Sequence, residues 1–262
     1  MEKVTSRDGT TIAFTRRGSG PPLVLVHGTT SDHARWDGVS PRFEDDFTVI
    51  AMDRRGRGGS GDADTYEVAR EGEDVVAVIE AVDDPVYLLG HSYGGVCALE
   101  AALLTDRISK LVLYEPVVPN PPHRIIYRSE LVAKAQALLD EDRREEALEV
   151  FAREALGMPD PDWETYRKSP VFPRRVAMAH TLYREMDIDR IYEFRPERFG
   201  GFSIPTLLMV GSDSPSLFHH AADAVREAMP DLTYAELAGQ QHIAMDTAPD
   251  LFADTVKGFL LG

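Results

Sequence analysis

Apolar residues along this chain come in short continuous runs separated by stretches of helical spacing. Residues 23–26, 47–52, 86–89, 111–114 and 206–210 are apolar almost throughout, and Thr233–Leu237 reads as a last strand. A strand with no polar alternate positions is buried on both faces. Ahead of these runs, residues 2–6 and 11–16 flank Asp8-Gly9, a hairpin turn signal. Residues 66–82 carry Val68, Val75, Val76, Val78, Ile79 and Val82 at helical spacing, and Pro249–Leu261 reads as a closing helix. Fully apolar strands alternating with helices predict an α/β protein with a mostly parallel central sheet covered on both faces.

The alternation breaks after Tyr114. Pro116, Pro119, Pro121 and Pro122 make a stiff exit, and residues from about 123 to 200 look helical without a convincing strand. Residues 129–155 are amphipathic, with the charge run 140–146 read as a solvated helix face. The sheet resumes at Pro205. The predicted organisation is a core from residues 1–115 and 205–262, with 116–204 inserted as a helical lid above the strand ends, where open α/β sheets bind ligands. Tyr127, Trp163, Tyr166, Phe172 and Tyr183 read first as lid core and second as pocket lining; Trp36 fits either place.

Composition narrows the function. The 262 residues carry a net charge of −16, with five lysines against twenty-three arginines. A surface this acidic disfavours nucleic acid and anionic membranes as partners. It fits adaptation to high salt or simply a GC-rich genome. The single cysteine, Cys97, excludes an internal disulfide and reads as a packed core thiol. No apolar leader opens the chain and no run reaches membrane-spanning length. Asn120, the one asparagine, precedes proline, so there is no glycosylation sequon. The expectation is a cytoplasmic protein acting on a small molecule.

The chemistry centres on Gly90-His91-Ser92-Tyr93-Gly94, a G-x-S-x-G that follows a strand and opens a small apolar helix. Such a turn lifts the serine hydroxyl above the sheet edge and aims the helix N-terminus at it. A serine needs a base, and the base needs an orienting acid. His242, in the loop Gly239-Gln240-Gln241-His242 after the last strand, is the candidate base. Asp213, in Gly211-Ser212-Asp213-Ser214, is the first choice of acid; Glu115, directly after 111–114, is the alternative. The oxyanion donors are predicted as Tyr93 N–H and Thr29 N–H, the latter in His27-Gly28-Thr29-Thr30. His91 reads as packed within the elbow and His27 as a brace for its loop. His219 and His220 read as pocket lining or an exposed cap. His33, His123 and His180 lack metal-ligand spacing, so no metal is expected. Gly56-Arg57-Gly58-Gly59-Ser60-Gly61 matches G-x-G-x-x-G, but Asp53-Arg54-Arg55 separates it from the strand and no helix follows directly. Nucleotide binding is therefore set aside.

Together, Leu25-Val26-His27-Gly28, Asp53-Arg54-Arg55-Gly56-Arg57-Gly58 with Ser60, Gly90-His91-Ser92-Tyr93-Gly94-Gly95, Gly211-Ser212-Asp213 and His242 resemble the α/β-hydrolase superfamily over nearly the whole chain. The resemblance implies that fold, no cofactor, and branches such as esterases, C–C hydrolases, haloperoxidase-like esterases and hydroxynitrile lyases. Serine at position 92 disfavours the epoxide hydrolases and dehalogenases, which use aspartate there. Tyr93 stands where many relatives carry methionine and is expected to set a ring beside the pocket. The expected reaction is hydrolysis of an ester or related carbonyl of a small, largely apolar substrate through an acyl-enzyme. One rival is C–C cleavage or a lyase reaction with the same triad, for which Arg174, Arg175 or His180 could guide a proton. Another is a small-molecule receptor built on the same fold.

Overall fold

The apolar runs form the strands. The computed structural model describes residues 1–119 and 127–262, so Asn120, Pro121, Pro122 and His123 lie outside the described residues. Eight strands build one sheet: β1 (Glu2–Thr5), β2 (Thr11–Gly18), β3 (Pro22–Val26), β4 (Thr48–Met52), β5 (Val86–His91), β6 (Ile108–Tyr114), β7 (Thr206–Gly211) and β8 (Thr233–Leu237). Their spatial order is β1-β2-β4-β3-β5-β6-β7-β8. The hairpin β1–β2 and the β2–β4 pair are antiparallel, and every pair from β4 to β8 is parallel. β3, β4 without its first residue, and β7 are buried throughout, as continuous apolar runs require.

Two helices pack on one face of the sheet first: α1 (Val68–Glu80) and α2 (Tyr93–Ala102). Between β6 and β7 the described residues form α3 (Ser129–Asp140), α4 (Arg144–Glu149), α5 (Asp160–Arg167), α6 (Phe172–Met178), α7 (Leu182–Met186) and α8 (Ile188–Ile191). After β7 come α9 (Ser216–Ala228), α10 (Ala244–Thr247) and α11 (Pro249–Leu261). Two apolar clusters sandwich the sheet. One joins Val24, Val26 and Leu88 to α1, α2, α9 and the helices between β6 and β7. The other joins Leu25, Leu89 and Val112 to Trp36, Phe43, Phe47 and α11.

The charge run at 140–146 faces solvent, but not as one helix face: it covers the end of α3, a break at 141–143 with Asp142 at φ +56°, and the first turn of α4. Consecutive charges in both helical and turn positions present the same pattern to solvent, and the left-handed residue decides for the turn. Residues Val150–Ala155 then continue α4 as a π-helical turn. Among the described residues no helix is long and apolar enough to cross a membrane.

Because β3 to β8 run parallel, the loops after β3, β5, β6, β7 and β8 all emerge at one sheet edge. His91 pairs in register with Tyr114, Tyr114 with Met209, and Gly211 with Leu237. Residues 27–32, 92, 115, 211–214 and 238–243 are thereby gathered within a few strand spacings of one another.

Candidate active site

Ser92 sits between β5 and α2 with φ +57° and ψ −124°. A non-glycine residue in this region costs about 1–3 kcal/mol, which the surrounding packing must sustain. Its N–H donates to Tyr114 O at 2.9 Å, and its carbonyl accepts from Gly95 N–H at 2.9 Å. Two glycines make the turn possible by close approach. A Cβ on Gly94 would lie 2.3 Å from Val26 O, and one on Gly28 would lie 2.8 Å from Ser92 Cβ. The loop after β3 and the start of α2 therefore press against the serine.

His242 reaches this edge from the loop after β8, and the carboxylate behind it is Glu115. Nδ1 of His242 lies 2.5 Å from Oε2 of Glu115. Glu115 is fully buried, at φ +46°, in the residue that follows β6. Its other oxygen, Oε1, accepts from Gly211 N–H at 2.8 Å and from Ser214 Oγ at 2.5 Å. Asp213, the first choice from sequence, is exposed and turned away. It accepts from Ser212 Oγ at 2.8 Å, and its own N–H donates to Gln240 O. The physical reason is that the end of β7 supplies donors, Gly211 N–H and Ser214 Oγ, which ionic Glu115 needs in a buried position. The carboxylate that meets His242 is thus the alternative, Glu115, one strand earlier than the first choice.

Three aromatic neighbours hold the imidazole. Phe218 of α9 stacks on the His242 ring at 4.0 Å between centroids, tilted by 18°. His91 lies 4.5 Å from it and stacks on Tyr114 at 5.4 Å. Nε2 of His91 donates to His242 O at 2.9 Å, since a carbonyl can only accept. Burial depresses the His91 pKa well below its ordinary value, with His242 and Arg35 adding to the effect, so His91 is neutral. The Tyr114 hydroxyl donates to Gln241 O. His91 thus packs in the elbow as expected and also anchors the loop that carries His242. Among the described residues Ser92 Oγ and His242 make no hydrogen bond to each other; with Nδ1 occupied by Glu115, Nε2 is the nitrogen left for a serine proton.

The loop after β3 completes the edge. His27 is fully buried and neutral, its pKa lowered by burial and by Arg54 and Arg57. Its Nδ1 donates to Gly28 O at 2.8 Å and its Nε2 accepts from Arg54 N–H at 3.1 Å, so it braces the loop as predicted. Thr29 lines the same cavity as Ser92. Tyr93 is the first residue of α2, so its N–H belongs to the unpaired first turn. The Tyr93 side chain, by contrast, does not flank the pocket. It is wholly buried, receives a hydrogen bond from Tyr66 OH at 2.9 Å and carries the Arg54 guanidinium 4.7 Å above its ring.

Ser92, His91 and His242 open into a cavity of about 630 Å³. Its apolar walls come from the helices between β6 and β7, among them Leu148, Phe151, Leu156, Met158, Tyr166 and Met178. Phe172 packs edge-on against both Trp163 and Tyr166, and Trp163 and Phe172 form the core of that region, while Trp36 is fully buried beneath the loop. Tyr127 and Tyr183 line a separate cavity of about 720 Å³ between α3 and the segment α7–α8. Arg174 and Arg175 lie in the Ser92 cavity; His180 is exposed and bonded to Ala177 O. His219 and His220 do not line it. Asp32, His33 and Asp53 come within 4.8 Å of one another. Their atoms are engaged internally, Asp53 Oδ1 with His33 and Asp32 with Ala34 N–H and Arg174.

A family model described as the alpha/beta hydrolase family matches residues 23–255. The chain belongs to the alpha/beta hydrolase family. An alpha/beta hydrolase from Sphaerobacter thermophilus superposes with a TM-score of 0.87 at 37% identity, covering 99% of this chain and 100% of that one. The esterase RhEst1 from Rhodococcus sp. ECU1013 shares the fold with a TM-score of 0.82 at 24% identity, over 100% and 98% of the two chains. A stretch of 132 residues, 47% of this chain, is 38% identical to the probable oxidoreductase EphD of Mycobacterium tuberculosis, of which it spans only 22%.

Proposed function

We propose that this α/β hydrolase is a serine hydrolase acting on an ester or related carbonyl through an acyl-enzyme. Ser92 is the nucleophile, His242 the base and Glu115 the acid. The observation that carries the reading is the hydrogen-bonded pair His242–Glu115 standing on the wall of the cavity that Ser92 enters from a strained elbow. Glu115 fixes the imidazole with its proton on Nδ1 and compensates the imidazolium that forms when Nε2 takes the Ser92 proton. The Thr29 and Tyr93 N–H groups are the proposed oxyanion donors. The tetrahedral intermediate collapses as His242 returns the proton to the leaving oxygen. Water, activated by the same nitrogen, then releases the acid. The helices between β6 and β7 act as the lid that closes the acyl site from bulk water.

The test is labelling with a fluorophosphonate, alongside turnover of p-nitrophenyl esters of increasing chain length, in wild type and Ser92→Ala. Labelling and turnover vanish together in the variant, the latter by several orders of magnitude. A Ser92→Ala protein that keeps its turnover refutes the reading.

A further inference from the structure

The Ser92 cavity carries three guanidinium groups, and their partners are unequal. Arg174 donates to Asp32 Oδ2 at 2.5 Å. Arg35, whose side chain keeps 10% of its surface, donates to Asp246 Oδ2 at 2.7 Å, and its buried Nη2 has no partner. The third carboxylate on the lining, Asp37, turns outward toward Arg17. That leaves Arg175. Among the described residues it has no ion pair at all: its Nη1 donates to the carbonyls of Thr30 at 2.7 Å and Thr29 at 3.3 Å. Its Nε and Nη2 make no hydrogen bond to a described residue, and neither is sealed away from the cavity.

An enclosed cation without a counter-ion is costly, and the cost falls when a ligand supplies the anion. Burial pulls the Arg175 pKa below its ordinary value and Arg35 opposes its charge as well, while Asp32 and Asp246, each in an ion pair with another arginine, offset this only in part from a distance. The two free nitrogens present the parallel donors that match a carboxylate. We propose that the Ser92 cavity takes substrates bearing a carboxylate, held by Nε and Nη2 of Arg175. This rests on the serine-hydrolase reading and sharpens it, replacing the largely apolar substrate expected from sequence. Arg175 touches the Thr29 carbonyl, and Thr29 N–H is a proposed oxyanion donor. The carboxylate therefore lies only a few carbon atoms from the carbonyl under attack.

The experiment measures two things on wild type, Arg175→Gln and Arg175→Lys. The first is the rate of fluorophosphonate labelling of Ser92 in the presence of succinate or of neutral succinamide. The second is kcat/KM for two matched pairs of esters. Monoethyl succinate against ethyl 4-methylpentanoate puts the charge on the acyl side, and 4-acetoxybenzoate against 4-isopropylphenyl acetate puts it on the leaving group.

Succinate, not succinamide, slows labelling of wild type, and one charged ester exceeds its neutral partner by about tenfold or more. The pair that shows the preference tells which side carries the carboxylate. Arg175→Gln loses both protection and preference, and Arg175→Lys, which keeps the charge without the fork, retains part of each. The charged-to-neutral ratio is the deciding readout. A purely positional role of Arg175 on the 29–30 loop lowers both members of a pair alike. Labelled wild type that succinate does not protect and that shows no charged preference overturns this proposal alone. An unlabelled wild type overturns the serine-hydrolase reading beneath it.

Discussion

Glu115 Oε2 lies 2.5 Å from His242 Nδ1 across 127 residues of sequence, and Glu115 is sealed from solvent. Its second oxygen is held by Gly211 N–H and Ser214 Oγ, so the carboxylate has one free direction, toward the imidazole. Glu115→Gln replaces an acceptor with an amide that can favour the wrong tautomer. It is expected to lower kcat on the order of 10²–10⁴-fold with a small change in KM. Asp213→Asn, on an exposed side chain, should stay within about twofold of wild type. Steady-state kinetics of both variants decide between them, and a larger loss in Asp213→Asn would return the acid role to the β7 loop.

Much of this site was legible from residue order. The strand, turn and helix around Ser92 identify the elbow, and His242 is the histidine after the last strand. Which carboxylate meets His242 was not legible, because Asp213 and Glu115 both follow apolar strands. Only the pairing of β6 with β7 shows which carboxylate meets the donors at the strand ends. Phe218 left no signal either, since its place on an amphipathic helix is also that of a core residue, and its stacking on His242 depends on how α9 docks. The direction of the Tyr93 side chain follows from a buried partner, Arg54, that lies 39 positions away in sequence. Arg175 was visible as a lid charge, but its lack of a carboxylate is a property of the folded neighbourhood.

His33 gives the protein a pH dependence whose sign follows from its partner. Its Nδ1 lies 2.7 Å from Asp53 Oδ1, and that hydrogen bond raises the His33 pKa above its ordinary value. The native state then holds the proton more tightly than the unfolded chain. The stabilisation is complete below the unfolded value, about 6.5, and is lost as pH rises through the folded one. His27 and His91, neutral in the fold, push the other way near pH 6.5, so the His33 share is read as a difference: from about pH 6 to about pH 8 the Tm of wild type should fall relative to that of His33→Gln. The same slope in both proteins would assign the titration to another group.

Glu185 ties the helices between β6 and β7 to the sheet. Its Oε1 receives Arg54 Nη2 at 2.5 Å and Arg57 Nη2 at 2.6 Å, with all three side chains buried. Glu71 answers Arg54 from α1; burial opposes its ionisation, but Arg54 and Arg57 hold its pKa well below the usual carboxylate range. Removing Glu185 leaves Arg57 with Glu71 alone, at 3.9 Å. Glu185→Ala is expected to cost about 3–5 kcal/mol, because it leaves a buried charge undercompensated. Urea denaturation measures the loss. Amide hydrogen exchange should show faster opening of α7 than of β5 in the variant. A loss below about 1 kcal/mol would mean that water or another carboxylate takes over the two guanidinium groups.

Gly28 is where the loop after β3, which carries a proposed oxyanion donor, meets Ser92. An added methyl there would stand 2.8 Å from Ser92 Cβ and 3.3 Å from Ser92 Oγ. Neither neighbour can yield easily. Ser92 is fixed by its strained backbone and by hydrogen bonds to Tyr114 and Gly95, and the loop is fixed by His27 and by Arg175 on the Thr29 and Thr30 carbonyls. Gly28→Ala must therefore push the loop outward by a fraction of an ångström to an ångström. A displacement of that size at an oxyanion donor costs on the order of 10²-fold in kcat. Global stability should fall by about 1–3 kcal/mol, the usual range for overpacking. Turnover of a p-nitrophenyl ester and thermal unfolding of the same preparation separate the two effects. Retained kcat would place the oxyanion donors away from the 28–29 segment.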